Sequence, residues 1–266
     1  MLNSENQIFC KFRGLDKNTQ ENNICELNSR FCEILRDCQL HSPSFKELND
    51  IDEGRFFVSA SQTELIKGTR EGKEQYRICC FALEEAKLDK DLMWAHYGNG
   101  HCGVKIDFRV DEAYRDKVFK VSYGKKPKEY SEQELEHIKE ELKCDQQRAL
   151  KGFIKEILTN KKQCFAYENE YRVIWSGNDK YLPIQILKIT LGKRFATEVI
   201  SNYETENREF DKSDNVVKIA RQFLNIWESG ERRGGKPPRF YAYKTQYSRE
   251  PEPIPSCLLQ EVESSS

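Results

Sequence analysis

Residues 161–175, KKQCFAYENEYRVIW, decide the fold class, because their aromatic and β-branched content is typical of a β-strand. The chain before them predicts a long amphipathic helix over about residues 131–159, inserted between strands of the sheet. Strands and helices therefore do not alternate strictly, which favours an α+β fold over a doubly wound one. We expect a mixed or mainly antiparallel sheet packed with several helices, in a single domain over residues 1–248 with a polar tail over residues 249–266.

The composition restricts the class of protein. Of the 266 residues, 38% are hydrophobic and 33% are charged, and the formal net charge is -1. This balance argues against a body that is one continuous phosphate-binding surface, but it permits a local basic patch. No secretory signal opens the chain, and no apolar stretch approaches the roughly 20 residues that span a bilayer. We therefore expect a cytoplasmic protein without a membrane partner, and the sequence leaves its oligomeric state open.

The ten cysteines do not predict a metal site. No Cys-x-x-Cys pair is present, and a reducing cytosol would keep the thiols from forming disulfides. Cys32 and Cys38 recur near helical spacing beside apolar residues, so we expect them to pack as small buried hydrophobic side chains. No metal ligand is therefore included among the candidate site residues.

Three charged residues lie on one face of the strand that residues 167–175 predict. Side chains alternate between the faces of a strand, so Glu168, Glu170 and Arg172 share one face. If this face borders a cleft, the two carboxylates are about 7 Å apart, and their repulsion tends to raise the pKa of one of them. Alternatively the trio is structural, and Glu168 and Arg172 stabilise each other or a neighbouring strand. Arg13 is either a surface residue of its strand or an internal partner of Glu170, and that pairing would itself close a site.

A second candidate site lies in the short helix before the turn Gly98-Asn99-Gly100. Trp94 and Tyr97 are neighbours on one helical face. They belong either to the core or to a platform on which a nucleobase or nicotinamide stacks, with His96 donating a hydrogen bond. His101 follows five positions after His96, and because no acidic cluster accompanies this pair, it does not predict a metal site.

Basic and aromatic residues are interleaved between residues 232 and 247. Such a mixture suits single-stranded nucleic acid, whose phosphates bind cations and whose bases stack on aromatic rings. The alternation in this stretch suits an ordinary edge strand as well, and acidic residues of the C-terminal tail partly cancel its charge. The residues concerned are Arg232, Arg233, Lys236, Arg239, Phe240, Tyr241, Tyr243 and Tyr247.

Several motifs resemble those of the bacterial domain-of-unknown-function family 2971, and they occur in the same order. The opening Lys11-Phe12-Arg13 is similar to the start of that family, and Lys161 or Lys162 stands where the family has a lysine. The family name implies no settled activity. The longest matching motifs are Met93-Trp94-Ala95-His96-Tyr97, His101-x-Gly103-Val104 with Ile106-Asp107-Phe108, and Tyr167-Glu168-Asn169-Glu170-Tyr171-Arg172.

The pair Glu168-x-Glu170 on a late strand also resembles the catalytic strand of the ADP-ribosyltransferase superfamily. This resemblance implies that Glu170 holds the nicotinamide ribose and stabilises the oxocarbenium-like transition state, while Glu168 orients or deprotonates the acceptor. It implies that Arg13 anchors the phosphates of NAD, which would be a substrate and not a permanently bound cofactor. The superfamily's middle element is altered here to Ser59-Ala60-Ser61. The remaining candidate cofactor-binding residues are Trp94, His96, Tyr97 and Arg172.

Two hypotheses about function follow. In the first, the chain is an ADP-ribosyltransferase-like enzyme that uses NAD to modify a macromolecular acceptor, either a protein or a nucleic acid. In the second, it is a non-catalytic module that binds nucleic acid or protein in a stress or phage-defence system. Release of nicotinamide from NAD discriminates the first hypothesis, and salt-dependent binding of RNA or DNA discriminates the second.

Overall fold

The computed structural model describes most of the chain. The described residues are 7–16, 28–48, 56–57, 63–85, 88–125, 128–144, 146–196, 208–230 and 236–260. Ser59-Ala60-Ser61 and the basic residues Arg232 and Arg233 lie outside them. Within these ranges, no helix combines the length and the apolarity needed to cross a membrane.

The regular elements are numbered in chain order. The strands are β1 (Phe9–Gly14), β2 (Gln39–His41), β3 (Phe56–Phe57), β4 (Tyr76–Leu83), β5 (Gly103–Val110), β6 (Val118–Lys120), β7 (Ser122–Gly124), β8 (Lys128–Glu129), β9 (Asn160–Lys162), β10 (Glu170–Ser176), β11 (Tyr181–Leu191), β12 (Arg239–Ala242) and β13 (Glu252–Pro253). The α-helices are α1 (Ser29–Asp37), α2 (Thr63–Lys73), α3 (Lys90–His96), α4 (Glu132–Cys144), α5 (Gln146–Leu158), α6 (Asn215–Glu228) and α7 (Ser256–Leu259).

The chain divides into two compact units, and the first, unit 1, comprises Met1–Leu40, Glu84–Asp111 and Pro183–Ser266. Its strands follow the order β13–β12–β11–β5–β1, and the short β2 pairs with β11. β11 and β12 run parallel, whereas the other neighbours in this order run antiparallel. α1 and α6 pack on each other through Phe31 and Phe223, whose ring centroids are 4.8 Å apart.

The two faces of β1 carry different side chains. Cys10 and Phe12 are the register partners of Asp107 and Lys105, so these four side chains share one face of the unit 1 sheet. Arg13 points to the opposite face, because successive side chains of a strand alternate. The sheet therefore separates Arg13 from the polar groups of β5.

The second compact unit, unit 2, comprises His41–Leu83 and Glu112–Leu182. It contains the antiparallel strand order β4–β10–β6 and two short parallel pairs, β3–β8 and β7–β9. Ile154 and Leu158 of α5 form one buried cluster with residues of β4 and β10. Each fully buried side chain of this size stabilises the fold by about 1.5–3 kcal/mol, so this cluster fixes α5 against the strands.

The helix predicted over residues 131–159 is divided into α4 and α5. The capping box that opens α4 is present, because the Ser131 amide donates to the Glu134 carboxylate at 2.8 Å and the Glu134 amide donates to the Ser131 hydroxyl at 3.2 Å. Leu135 of α4 and Phe153 of α5 belong to one buried cluster. The apolar face expected from the spacing is therefore used, but by two helices that pack on each other.

The prediction of one strand over residues 161–175 is wrong in its first half. β9 ends at Lys162, the 3₁₀ helix Gln163–Glu168 follows, and β10 begins at Glu170. Asn169 joins them with a left-handed backbone, at φ 42° and ψ 52°. Asparagine tolerates this conformation better than most residues do, and its single occurrence is enough to break the alternation that the aromatic content suggested.

The predicted α+β class with a mixed or mainly antiparallel sheet and several helices is confirmed. Part of the predicted tail is structured, since β13 pairs with β12 and Ile254 is buried. The end of a single domain at residue 248 stays a prediction. Cys32 and Cys38 are buried, as their spacing indicated.

Candidate functional site

A network of four buried charges lies in unit 2. The Lys161 ammonium donates to the carboxylates of Glu168 at 2.6 Å and Glu170 at 3.0 Å. The Arg172 Nε donates to the other oxygen of Glu170 at 2.8 Å. None of these four side chains is more than 8% exposed, so we call the set the buried network.

Local structure brings each member of the buried network into place. Lys161 lies on β9, where it is the register partner of Tyr123 on β7. The Tyr123 hydroxyl in turn accepts a hydrogen bond from the Glu170 amide at 2.7 Å, which fixes the start of β10. Glu168 ends the 3₁₀ helix, and the left-handed Asn169 turns its carboxylate back towards Lys161. The predicted grouping of Glu168 with Glu170 is thus present, although Glu168 is not on the strand.

Arg172 connects the buried network to a helix. Its side chain is fully buried, and its guanidinium donates to the carbonyl of Leu158, the last residue of α5. The last carbonyls of an α-helix have no partner within the helix and carry the negative end of its dipole. Arg172 therefore caps α5 while it neutralises Glu170.

The electrostatics of the buried network keep the carboxylate of Glu170 ionised. Burial alone would raise the pKa of Glu170, but the charges of Arg172 and Lys161 outweigh burial and lower this pKa to about 2. Burial alone would lower the pKa of Lys161, but Glu170 and Glu168 outweigh it and raise this pKa. The expected rise in a carboxylate pKa is therefore replaced, for Glu170, by a decrease. Two carboxylates and two cations sum to zero, and each oxygen of Glu170 has a cationic partner.

A different arrangement occurs in unit 1 around His101. The imidazole stacks on the indole of Trp94, with ring centroids 5.1 Å apart and planes 21° from parallel. Trp94 is only 2% exposed and packs edge-on against Phe12 at 5.0 Å. Its indole N–H donates to the Tyr243 hydroxyl. Trp94 thus belongs to the core, and His101 is the partly exposed ring of the stack.

Two lysines of unit 1 lie over tyrosine rings. The Lys188 ammonium is 5.0 Å from the ring centroid of Tyr241, and the Lys193 ammonium is 5.0 Å from that of Tyr243. The pairing of β11 with β12 places Lys188 near Tyr241. Thr190 is the register partner of Tyr241, and Lys188 lies two residues before Thr190 on the same face of β11. We call these two pairs the lysine–tyrosine row. A cation near the face of an aromatic ring is attracted by the ring's quadrupole.

A polar cluster lies beside the lysine–tyrosine row on the same sheet face. The Lys105 ammonium is 2.6 Å from the carboxylate of Glu84 and 3.1 Å from that of Asp107, and Lys188 is 2.8 Å from the other Asp107 oxygen. The ion pairs of Asp107 lack hydrogen-bond geometry. The thiol of Cys10 and these two carboxylates offer three ligand atoms within 4.8 Å of one another. The ammonium groups of Lys105 and Lys188 together balance the two carboxylates, so this cluster has no need of a metal ion for charge balance.

The predicted site residues are distributed over both units. Unit 2 holds Glu168, Glu170 and Arg172, which the structure brings together. In unit 1, His96 is exposed and the centroids of its ring and the Tyr97 ring are 6.5 Å apart. Unit 1 also holds Trp94 and Arg13, and these two lie on opposite faces of β1, because Trp94 contacts Phe12.

Arg13 lies in the field of a second cation, Arg30. Burial lowers the pKa of its guanidinium, and the charge of Arg30 on α1 lowers it further. Within β1, Arg13 is the register partner of Val104 on β5. The predicted ion pair between Arg13 and Glu170 is not among the contacts of Glu170 described above, which are made by Lys161 and Arg172.

The stacked ring pair and the buried network both fall within one stretch of sequence. Residues 93–173 match DUF2971, a protein family of unknown function. The match runs from α3 into β10 and confirms the predicted resemblance to this family. The resemblance to ADP-ribosyltransferases stays a prediction. No curated protein and no solved structure matches the chain.

Sequence reasoning missed several residues of these clusters. Within the DUF2971 match, Lys161 was noted only as a lysine near the expected position, and Tyr123 was not considered. Lys105 was not considered and Asp107 entered only within the motif Ile106-Asp107-Phe108, although an i, i+2 pair of opposite charges in an apolar strand signals a buried ion pair. The cations Lys188 and Lys193 could not be paired with their tyrosines without knowledge of the strand order.

Proposed function

We propose that the chain is a non-catalytic module that binds single-stranded nucleic acid through unit 1. The lysine–tyrosine row supports this proposal. Lys188 and Lys193 can bind phosphates, and the partly exposed Tyr241 places an aromatic ring beside Lys188, whereas Tyr243, only 6% exposed, lies beneath Lys193. Proteins that bind single strands without sequence preference combine these two features.

Exposed cations extend the lysine–tyrosine row. The Lys188 side chain retains 31% exposure, and its ammonium pairs with Asp107 at 2.8 Å. Arg194 follows Lys193, and Arg239 is the register partner of Lys188; both are exposed. Lys105 and Lys188 balance the charges of Glu84 and Asp107, so Lys193, Arg194 and Arg239 supply the net positive local charge. This local patch is compatible with a chain whose formal net charge is -1.

The contacts available in unit 1 suit the backbone and the faces of bases more than their edges. Lysine binds phosphate as a point charge, and every base offers a π-face to an aromatic ring. We therefore expect binding that depends strongly on salt and weakly on sequence. With three to four phosphate contacts the affinity should fall about 30-fold between 50 and 200 mM salt.

The test is fluorescence anisotropy of a labelled 12-nucleotide oligo(U) and oligo(dT) across a salt series. Lys193→Gln and Arg239→Gln should each weaken binding and make the slope of log K against log salt shallower by about 0.7. The matched control is Lys46→Gln in unit 2, whose side chain is 67% exposed. Absent binding, or binding that salt does not change, would overturn the proposal.

A second candidate function is the NAD-dependent ADP-ribosyltransferase-like activity. One observation favours it: the carboxylates of Glu168 and Glu170 converge on a single ammonium, that of Lys161. Two carboxylates around one positive charge are also what an oxocarbenium-like transition state requires. In this hypothesis NAD is a substrate, Arg13 anchors its phosphates, and the acceptor is a protein or a nucleic acid.

Calorimetric titration with NAD and an assay of released nicotinamide test this second candidate. Catalysis predicts NAD binding, nicotinamide release and loss of release in Glu170→Gln, provided that circular dichroism shows the variant to be folded. A folded wild type that neither binds NAD nor releases nicotinamide removes the enzymatic hypothesis. That outcome leaves the nucleic-acid proposal untouched, because that proposal rests on the lysine–tyrosine row and not on the buried network or Arg13.

A further inference from the structure

We propose that the imidazole of His101 is a stacking platform for one base of the bound strand, and that Lys193 and Arg194 hold the phosphate next to that base. This inference rests on the proposed function and deepens it by naming the nucleotide-binding position. The ligand is a nucleotide unit, a base with its phosphate, either within a strand or free.

The loop that carries His101 has a costly backbone. Three successive residues, Asn99, Gly100 and His101, have φ values of 50°, 59° and 66°. Glycine adopts this left-handed region freely, whereas it is uncommon for any residue with a Cβ, although asparagine and histidine adopt it more often than most. Strained residues of this kind persist where the surroundings hold them, and they cluster at binding and catalytic sites.

Contacts from other parts of unit 1 hold this loop in place. The Arg194 amide donates to the carbonyl of His101 at 3.3 Å, and the Arg194 Nε donates to the carbonyl of Gly100 at 2.9 Å. The Asn99 side-chain amide donates to the carbonyl of Leu15 at 3.1 Å. The backbone around the imidazole is thus fixed from two sides before any ligand binds, which reduces the entropy lost on binding.

The imidazole rests on a rigid support. Trp94 stacks beneath it and is itself held by Phe12 and by a hydrogen bond to Tyr243. His101 keeps partial exposure, whereas Trp94 has almost none. A partly exposed ring backed by a rigid indole is suited to receive a second flat ring, as in the aromatic platforms of single-strand binders.

The state of the imidazole also fits stacking. Burial lowers the pKa of His101, and the charges of Lys193 and Arg194 lower it further, whereas the charge of Asp91 raises it. The ring is therefore neutral at neutral pH. Its Nδ1 is buried and has no hydrogen-bond partner among the described residues. A buried nitrogen without a hydrogen-bond partner destabilises the fold, so its presence calls for a role other than a structural one.

The cations beside the ring complete a nucleotide site. Arg194 contacts the backbone of Gly100 and His101, and Lys193 lies 5.0 Å from the ring centroid of Tyr243, whose hydroxyl accepts from Trp94, so two positive charges lie beside the stack. Arg194 uses its Nε on the Gly100 carbonyl, so the protein orients its guanidinium in advance. A planar guanidinium and an ammonium together match the oxygens of one phosphate.

The decisive variant is His101→Gly. Glycine removes the ring but fits the left-handed backbone, so the chain should stay folded. We expect at least about a 5-fold loss of affinity for the 12-nucleotide oligo(U), because one stacked base contributes about 1–3 kcal/mol. His101→Phe should restore most of the affinity, since phenylalanine supplies a ring of similar size. His137→Ala, which changes a 73% exposed histidine of unit 2, is the matched control and should bind as the wild type does.

An abasic oligonucleotide of the same length separates stacking from charge. Wild type and His101→Gly should bind it equally, because it offers phosphates but no bases. Uridine monophosphate, tested by competition, shows whether a free nucleotide also occupies the position. Equal affinity of wild type and His101→Gly for oligo(U) overturns this inference and leaves the proposed function standing. If the wild type binds neither oligonucleotide, both fall together.

Discussion

Two arginines, one in each unit, show how the surroundings of a charge decide its use. In unit 2, Arg172 is fully buried, and it donates hydrogen bonds to the Leu158 carbonyl and to the Glu170 carboxylate. In unit 1, Arg194 is exposed and uses its Nε on the carbonyl of Gly100. The first charge is neutralised inside the fold, whereas the second remains within reach of a ligand.

The same contrast holds for the lysines. Lys161 of the buried network is 8% exposed and lies between two carboxylates, whereas Lys193 is partly exposed and lies over a tyrosine ring. A buried ion pair is costly to disrupt because the partner is left as an uncompensated charge. A cation that water can reach contributes little to stability. We therefore expect mutations in the buried network to act on folding and those of Lys193 to act on binding.

The largest effect should come from Arg172→Met. The substitution keeps an unbranched side chain of comparable length but leaves Glu170 with Lys161 as its remaining cation and removes the cap of α5. We expect the free energy of unfolding to fall by about 3–5 kcal/mol. Urea denaturation at pH 7, followed by circular dichroism, measures it.

The matched control for this variant is Lys46→Met in the same unit. Lys46 pairs at 2.8 Å with Glu74, and their side chains are 67% and 44% exposed. Removing one partner of such an exposed pair should change stability by no more than about 1 kcal/mol. Equal losses in the two variants would show that the buried network does not hold unit 2 together.

The next effect concerns acid stability. The pKa of Glu170 is lowered from its usual 4.5 to about 2, so between these values the unfolded chain binds a proton that the folded chain does not. The contribution of this carboxylate is therefore complete above about pH 4.5 and is lost as the pH falls towards 2. It amounts to on the order of 3 kcal/mol.

The variant Glu170→Gln isolates this contribution. It should be less stable than the wild type at pH 7, and its free energy of unfolding should fall less steeply between pH 4.5 and 2, because glutamine does not titrate. The measurement is a set of urea denaturation curves at successive pH values. Parallel curves for wild type and variant across this range would contradict the assigned pKa shift of Glu170.

The sequence predicted which residues belong to the buried network better than it predicted how they are arranged. Alternation along a strand grouped Glu168, Glu170 and Arg172, and these residues do converge. The reason given for Glu168 was wrong, since a left-handed Asn169 and not the strand brings it there. Lys161 could not be assigned as the bridge, because its position depends on the parallel pairing of β7 and β9. Such a pairing between distant short strands leaves no local pattern.

The same limit applies to unit 1. The turn before His101 was predictable from the Gly98-Asn99-Gly100 pattern, but a left-handed histidine was not, because histidine rarely adopts that backbone unless other contacts hold it. Those contacts come from residues 192–194, about ninety positions along the chain. Local propensity predicted the elements and the class of fold, and long-range contacts decided which side chains form a site.

A third prediction concerns the support of the His101 loop. In Gly192→Ala the new Cβ would lie 2.1 Å from the carbonyl oxygen of His101, a distance that forces the backbone to move. We expect a loss of about 1–3 kcal/mol in the free energy of unfolding, together with weaker binding of oligo(U), because the displaced loop carries the proposed platform. Thermal or urea unfolding and anisotropy measure the two effects on one preparation.

Gly152→Ala in α5 is the matched control for this substitution. Its new Cβ would have no neighbour within 4 Å, and alanine favours a helix interior over glycine. This variant should be more stable than the wild type by up to about 1 kcal/mol and should bind oligo(U) as the wild type does. A Gly192→Ala protein that unfolds and binds like the wild type would show that the His101 loop tolerates a shift, which contradicts its assigned rigidity.

The smallest effect on stability should come from Lys193→Gln, and it sharpens the comparison between the units most directly. The ammonium of Lys193 lies over Tyr243, and a cation in such a partly exposed position contributes about 0.5–1 kcal/mol at most. The free energy of unfolding should therefore change by less than about 1 kcal/mol, while the affinity for oligo(U) at 50 mM salt falls several-fold because one phosphate contact is lost. Urea denaturation and anisotropy on the same variant give both values. A large loss of stability without a change in binding would assign Lys193 to the fold, as Lys161 is assigned in unit 2, and would remove it from the proposed nucleic-acid interface.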